Sequence, residues 1–262
     1  MEIKGNVTTG TDAQLVERTL DILEAMAGEG AASLPEIARR AGLPVTTAHR
    51  ILQALIRRGY AMRVARGQYW LGSSVLALAE TLSIDDLLAA ATRRHMLALS
   101  RAAKCHVHLG LWQDGMVTYL VKQRYGKTRL HSAEGAQLEA YCSALGKVLL
   151  AGLSGAERDA YLGEGGFVPL TPHTIVDPAQ LDAEIAMVQV QGWGSDREEI
   201  AMGLCCCAVP LRDPAGMTIA ALSVSMAGTG RASFVPSDHV QLLQETAAAI
   251  ERQLFPAMAG AG

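Results

Sequence analysis

Apolar residues recur at helical spacing through the first third of the chain, then give way to strand-like runs after residue 104. Leu15, Thr19, Ile22, Leu23 and Met26 line one side of a helix predicted over 15–27, which Gly28 and Gly30 close. Leu34, Ile37, Ala38 and Ala41 share the face of a short second helix. Ser33 and Glu36 open it at capping-box spacing, Pro35 sits in its first turn and Gly42 ends it. After Pro44, the stripe Ala48, Ile51, Leu52 and Leu55 predicts a third helix over 45–58, with Gly59 as its stop. Two short helices joined by a few residues form a helix-turn-helix. The runs 60–64 and 68–71, joined by Ala65-Arg66-Gly67, then predict a hairpin wing.

Ser73 or Ser74 caps a further helix carrying Val75, Leu76, Leu78, Ala79 and Leu82, expected to end near Ser83. Ile84-Asp85-Asp86 starts another that runs to Ala103, acids first and Arg93, Arg94 and Arg101 later, as the helix dipole favours. From Cys105 the β-type runs 105–113 and 116–123 flank Asp114-Gly115, a hairpin signal. Residues 125–137 read as loop, 143–153 and 155–162 as helix, and 163–173 as a Gly/Pro-rich loop. A helix follows Asp177-Pro178 through Leu181, Ile185, Val188 and Val190 to Gly192. The strands 205–211 and 218–226 flank an Asp-Pro turn, and a helix over 237–254 closes the chain. The expected class is α+β, with a winged helix-turn-helix over 12–72, a linker helix over 73–84 and an antiparallel sheet packed by helices over 85–256. Residues 1–12 are expected to be mobile.

Charge sharpens the picture of the first domain. Between Ser33 and Gly72 stand seven Arg and one acid, a net +6, whereas the whole chain is −3, so the remainder carries −9. A basic patch on an acidic chain is the electrostatic footprint of phosphate contact. The polar face of the third helix presents Thr46, Thr47, His49, Arg50 and Gln53, crowded towards its N-terminal half as in a helix that reads the major groove. Arg39, Arg57 and Arg66 are placed to meet backbone phosphates.

Composition excludes several other classes. The first eleven residues lack the basic-then-apolar order of a secretory signal, and no apolar run approaches the roughly 18 residues of a membrane span. A cytoplasmic protein without membrane contact is expected. Cys105, Cys142, Cys205, Cys206 and Cys207 are odd in number and contain no C-x-x-C pair, which argues against a disulfide framework or structural zinc. No cofactor is implied.

The texts L-V-E-R-T-L-D-I-L-E-A-M (15–26), L-P-E-I-A-R-R-A-G-L-P-V-T-T-A-H-R-I-L-Q-A-L (34–55), S-A-L-G-K-V-L-L-A (143–151), G-W-G-S-D-R-E-E-I-A-M-G-L-C-C-C-A-V-P-L (192–211) and A-A-L-S-V-S (220–225) come in an order that resembles the IclR family of bacterial transcriptional regulators. The resemblance implies a winged helix-turn-helix, a linker helix and a GAF-like effector domain. It implies a homodimer or dimer of dimers on double-stranded operator DNA, repressing or activating a catabolic operon in response to a small carboxylic acid. Carried over by position, Ala144 and Leu145 would offer backbone N–H groups at a helix start. Asp196, Leu204 and Cys206, with Ser223 and Ser225, would line the rest of an effector cup. The triple Cys, together with Glu139 and Tyr141 near the expected pocket mouth, raises an aromatic acid of hydroxybenzoate type as the ligand.

Rival readings attach to several of these residues. Cys206 with His106, His108 or His131 would suit a Cys-dependent hydrolase or a redox or metal sensor, although a buried Cys on a strand is more often an apolar filler. Three consecutive strand Cys cannot all reach one metal, because neighbours point to opposite faces. Asp196 to Glu199 reads as a solvated charged turn, and Lys147 as an anion ligand or a snorkelling helix residue. Met202 and Trp193 read as packing residues, and 163–166 lacks the context of a nucleotide loop.

Overall fold

The computed structural model describes residues 11–28, 30–127, 130, 132–228 and 230–256, and divides the chain into two compact units, Met1–Ser83 and Ile84–Gly262. Most of the N-terminal segment expected to be mobile, and His131, lie outside the described residues.

In the first unit, α1 (Thr11–Met26), α2 (Leu34–Arg40) and α3 (Val45–Arg57) enclose a core of Ile22, Met26, Ile37, Ala48, Ile51, Leu52 and Leu55. Ile22 and Met26 are buried, but Leu15 is 46% exposed, so only the second half of α1 supplies the expected apolar face. Ser33 caps α2 by accepting the Glu36 N–H at 3.4 Å. The reciprocal half of the capping box is replaced by an ion pair of the Glu36 carboxylate with Arg40 one turn on, a stronger partner for a partly exposed acid.

The wing is β2 (Ala61–Ala65) and β3 (Gln68–Leu71), and β3 also pairs with β1 (Ala32–Ser33), a third strand too short for the sequence to announce. The helix α4 (Ser73–Ala79) is shorter than expected. Its N-cap is Gly72 rather than either serine, and the Ser74 hydroxyl donates instead to the Arg58 carbonyl at 3.1 Å. At its other end the Thr81 hydroxyl caps the Leu78 carbonyl at 2.7 Å. None of its residues is buried, and Leu76 and Leu78 face outwards.

The second unit is a six-stranded antiparallel sheet ordered β6-β5-β4-β9-β8-β7: β4 (His106–Gln113), β5 (Met116–Gln123), β6 (Gln137–Leu138), β7 (Gly194–Arg197), β8 (Leu204–Arg212) and β9 (Thr218–Ala227). Asp114 (φ 51°) and Gly115 (φ 79°) both take positive φ, the two-residue turn that matches strand twist. On one face α5 (Ile84–Ala103) and α9 (Ser237–Leu254) pack on Val107, Leu109, Cys205, Cys207, Val209, Leu222 and Val224. On the other lie α6 (Ala144–Gly152), α7 (Gly155–Glu164) and α8 (Pro178–Gln191). Ser154 and Glu157 form a full capping box on α7. Asp177 caps α8 by accepting the Ala179 N–H, and the helix buries Leu181, Ile185 and Val188, whereas Val190, assigned to that stripe, is 91% exposed.

The sequence missed β7. Its text Gly-Ser-Asp-Arg carries no apolar alternation, yet it forms the sheet edge. The edge is covered rather than left open. Lys147 Nζ donates to the Ser195 carbonyl at 3.1 Å, and the Thr171 and Thr174 hydroxyls donate to the carbonyls of Glu198 and Glu199, each at 2.6 Å.

Candidate functional site

Two surfaces carry chemistry, one in each unit. In the first, α3 buries Ala48, Ile51, Leu52 and Leu55, and so turns the opposite face outwards. Thr46, His49 and Arg50 are exposed there, with Thr47 and Gln53 half-buried beside them and Gln53 Nε2 lying 3.4 Å from His49 Nε2. The α3 N-cap is Pro44, which makes no side-chain cap, so its first-turn N–H groups stand open to a phosphate.

The seven arginines separate into two kinds. Arg40 is tied to Glu36 and to the Ala25 carbonyl, and Arg63 donates to the Tyr69 hydroxyl at 3.1 Å and lies over its ring. Arg39, Arg50, Arg57, Arg58 and Arg66 are exposed and make no side-chain hydrogen bond or ion pair among the described residues. Arg66 occupies the wing tip between β2 and β3.

In the second unit a cavity of about 560 Å³ opens on the α6 face of the sheet. Ala144, Leu145, Asp196, Leu204, Cys206, Ser223 and Ser225 all line it, drawn from α6, β7, β8 and β9. Ser143 caps α6 by accepting the Gly146 N–H at 3.0 Å, and Ala144 and Leu145 fill the first turn, whose N–H groups have no intrahelical acceptor. The turn packs so tightly on the preceding segment that a Cβ on Gly146 would stand 2.2 Å from the Ala140 carbonyl oxygen.

Strand register sets the polar row facing α6. Cys206 is opposite both Asp196 and Ser225, and His108 is opposite Ser223. The Cys206 thiol donates to Ser225 Oγ at 3.3 Å, and Ser225 Oγ lies 3.4 Å from His108 Nδ1. His108 Nε2 in turn meets Ser132 Oγ at 3.0 Å, and its ring tilts against Tyr119 at 5.0 Å. Burial, reinforced by Lys122 and His106, pushes His108 down to about 3, so the ring is neutral. Asp196 is 1% exposed; its Oδ1 accepts the Glu199 N–H at 2.7 Å, while Oδ2 has no partner among the described residues. Burial is the main cause of a carboxyl pushed up to about 7, the Glu199 charge adding to it and the Glu199 N–H and Lys147 opposing it.

Several expectations are corrected. Asp196, Glu198 and Glu199 are buried rather than a solvated turn, because the hydroxyls of Thr171 and Thr174 and the Lys147 ammonium supply their surroundings. Lys147 neither snorkels nor faces the cavity; it is 0% exposed and bonds Glu199 at 2.6 Å and Glu184 at 3.3 Å. Glu139 and Tyr141 do not line the cavity: Glu139 is exposed, and the Tyr141 hydroxyl donates to the Val168 carbonyl at 2.9 Å. Leu138 reaches the cavity instead, and so does Met202, which is exposed at its rim rather than packed.

Cys206 alone of the triple run lines the cavity, since Cys205 and Cys207 point into the opposite core. Burial first, and then the Asp196 charge, raise the Cys206 thiol well above its ordinary value, the opposite of an activated nucleophile. Among the described residues no group of three His, Cys, Asp or Glu side chains is arranged to hold a metal ion. The sequence points to His108 only as a companion of Cys206 in a hydrolase or a redox or metal sensor, and it does not single out Tyr119 or Ser132. The period-two alternation of β4 was the available signal for His108; Ser132 sits in a loop and gave none.

Comparisons bear on both units. Residues 79–252 match the family model described as "Bacterial transcriptional regulator IclR C-terminal", and residues 15–65 match "IclR helix-turn-helix domain". The chain is 36% identical over 219 residues to the HTH-type transcriptional regulator Rv1719 of Mycobacterium tuberculosis, spanning 81% of each. It is 30% identical over 242 residues to the HTH-type transcriptional regulator KdgR of Escherichia coli, spanning 91% of this chain and 92% of that one. An IclR homolog from Microbacterium hydrocarbonoxydans, crystallised in complex with 4-hydroxybenzoate, aligns with a TM-score of 0.62 at 25% identity over 93% of this chain and 100% of that one. With its helix-turn-helix and its curled antiparallel sheet, this chain belongs to the IclR family, DNA-binding transcriptional regulators and not enzymes.

Proposed function

We propose that the protein is a ligand-responsive regulator that binds operator DNA as a homodimer or dimer of dimers and controls a catabolic operon in response to a small organic acid. Thr46, Thr47, His49, Arg50 and Gln53 read base edges, and Arg39, Arg57 and Arg66 hold phosphates. The winged helix-turn-helix spans 12–72, the linker 73–84 and the effector domain 85–256. The acid lies in the cavity, its carboxylate on the Ala144 and Leu145 N–H groups and the Ser223 and Ser225 hydroxyls.

The observation that carries this reading is a buried carboxyl oxygen, Asp196 Oδ2, left without a partner among the described residues in a cavity whose other polar groups include hydrogen-bond donors. With its carboxyl near 7, Asp196 donates to the acid when protonated. The wall of His108 and Tyr119 and a volume of about 560 Å³ favour an aromatic carboxylate, as does the 4-hydroxybenzoate held by the Microbacterium homolog. Exposed Leu76, Leu78 and Leu82 in the linker stretch support pairing with a second copy. No described helix is long and apolar enough to cross a membrane, which fits a cytoplasmic location.

Fluorescence anisotropy on the DNA upstream of the protein's own coding region tests the proposal, at two salt concentrations and with a panel of aliphatic and aromatic acids. Tight, salt-sensitive binding is expected, altered by one class of acid and weakened by about 1–3 kcal/mol in Arg50→Ala. Equal affinity of Arg50→Ala and wild type would overturn the assignment of α3 as the reading helix.

A further inference from the structure

At the end of the sheet where β4 begins and β9 stops, a second cavity of about 390 Å³ lies between the turn after α5 and the start of α9. Its polar wall is Lys104, His106, Ser225, Ser233 and His239, and no acidic side chain lines it among the described residues. His106 is the informative member. It is only 4% exposed, and its Nδ1 accepts the Tyr125 backbone N–H at 3.2 Å. An accepting Nδ1 carries a lone pair, so the ring proton sits on Nε2. Burial, with Lys122 and Arg124 nearby, holds the imidazole below its ordinary range, and this neutral tautomer therefore persists at neutral pH.

The Nε2–H has no hydrogen-bond partner among the described residues, which leaves an unpaired donor on a buried ring that lines the cavity. Around it stand the Lys104 ammonium and His239, which lies in the first turn of the eighteen-residue α9. The positive end of that helix dipole thus adds to the same wall. Each of these features favours an anion. The volume falls in the range of about 300–1,000 Å³ typical of small-molecule sites. It admits a phosphate with a short organic tail against Cys105 and Phe234.

We propose that this cavity is a second ligand site, separate from the acid cavity, which takes a small oxyanion, free phosphate or a phosphate monoester, on Lys104, His106 Nε2–H, His239 and the α9 N-terminus. It does not depend on what the first cavity binds. The two are adjacent through Ser225, which lines both and whose hydroxyl contacts Cys206 and His108. An anion in the second cavity therefore bears on the polar row of the first.

The test titrates the full chain with inorganic phosphate, glycerol 3-phosphate or acetate at constant ionic strength and pH 7.5, following the ring ¹⁵N–¹H signals of His106 and His239. Saturable shifts of both rings are expected with at least one of the phosphates. Lys104→Asn and His239→Gln should each weaken binding about tenfold, the loss of one charge-assisted contact. Asn suits position 104 because the backbone there is left-handed, at φ 53°. An unchanged melting temperature without phosphate establishes that each variant folds. Tighter glycerol 3-phosphate assigns a monoester, and tighter or equal inorganic phosphate assigns the free ion. Non-saturable shifts, acetate binding as tight as phosphate, or undiminished binding in the double variant would overturn the site.

Discussion

Burial leaves Asp196 with one oxygen on the Glu199 N–H and the other without a partner, and pushes its carboxyl from an ordinary value of 3.8 up to about 7. A raised folded-state pKa means that the folded chain keeps a proton that the unfolded chain loses. The group therefore costs no stability below about pH 4, and its penalty grows through the window up to about pH 7, on the order of 1 kcal/mol per pH unit. Asn at this position stays neutral at every pH and keeps an oxygen for the Glu199 N–H. Asp196→Asn should thus melt higher than wild type at pH 8, with the gain shrinking towards pH 5; a gain that grew on acidification would contradict the raised carboxyl. Lys147 presents the opposite case, a fully buried cation held by Glu199 and Glu184. Lys147→Met leaves Glu199 buried and unpaired and should cost about 3–5 kcal/mol in urea unfolding, most of which Lys147→Met/Glu199→Leu should recover. Neither residue's burial was legible in the sequence. A run reading Asp-Arg-Glu-Glu is solvated in most settings, and here contacts from sequence-distant Thr171, Thr174 and Lys147 help to keep it inside.

Elements were legible where one period ran long enough. The α3 stripe, the Asp114-Gly115 hairpin and the start of α8 at Asp177-Pro178 all follow from local chemistry, whereas β1 and β7 are short strands defined only by their neighbours. The same distinction separates the arginines. Sequence counted seven equal charges, but two are tied within the fold, and the other five are spread over the end of α2, α3 with its C-cap, and the wing tip. Arg66 at the wing tip should act on phosphate alone: Arg66→Ala should weaken binding evenly across operator variants and lower the salt slope by about 1. Gln53→Ala, on the reading face, should instead change the ranking of those variants by about 1–3 kcal/mol and leave the salt slope nearly unchanged. Competition binding over a set of single-base operator changes separates the two patterns. An even loss in Gln53→Ala would move that residue from base to backbone.

At the scale of the molecule, the reading requires an acid in the second unit to alter DNA affinity in the first. Tight binding of the acid does not suffice; a ligand shifts an equilibrium only by its differential affinity for two states. At about 100-fold excess over its Kd, an acid stabilises the chain by about 2.7 kcal/mol whether or not it regulates anything, so a rise in melting temperature identifies a ligand and not an effector. Linkage supplies the sharper criterion. If the acid changes operator affinity by some factor, saturating operator must change acid affinity by the same factor. The acid Kd by calorimetry, with and without operator, and the operator Kd by anisotropy, with and without acid, should therefore give equal ratios. Ser223→Ala/Ser225→Ala removes two hydroxyls from the cavity and none from α3, and should abolish the acid's effect while leaving acid-free operator affinity unchanged. Arg50→Ala should do the converse, weakening operator binding while leaving the acid Kd measured without DNA unchanged. Ratios of one in both directions, with the acid still bound, would leave the cavity as a ligand site and remove it from regulation.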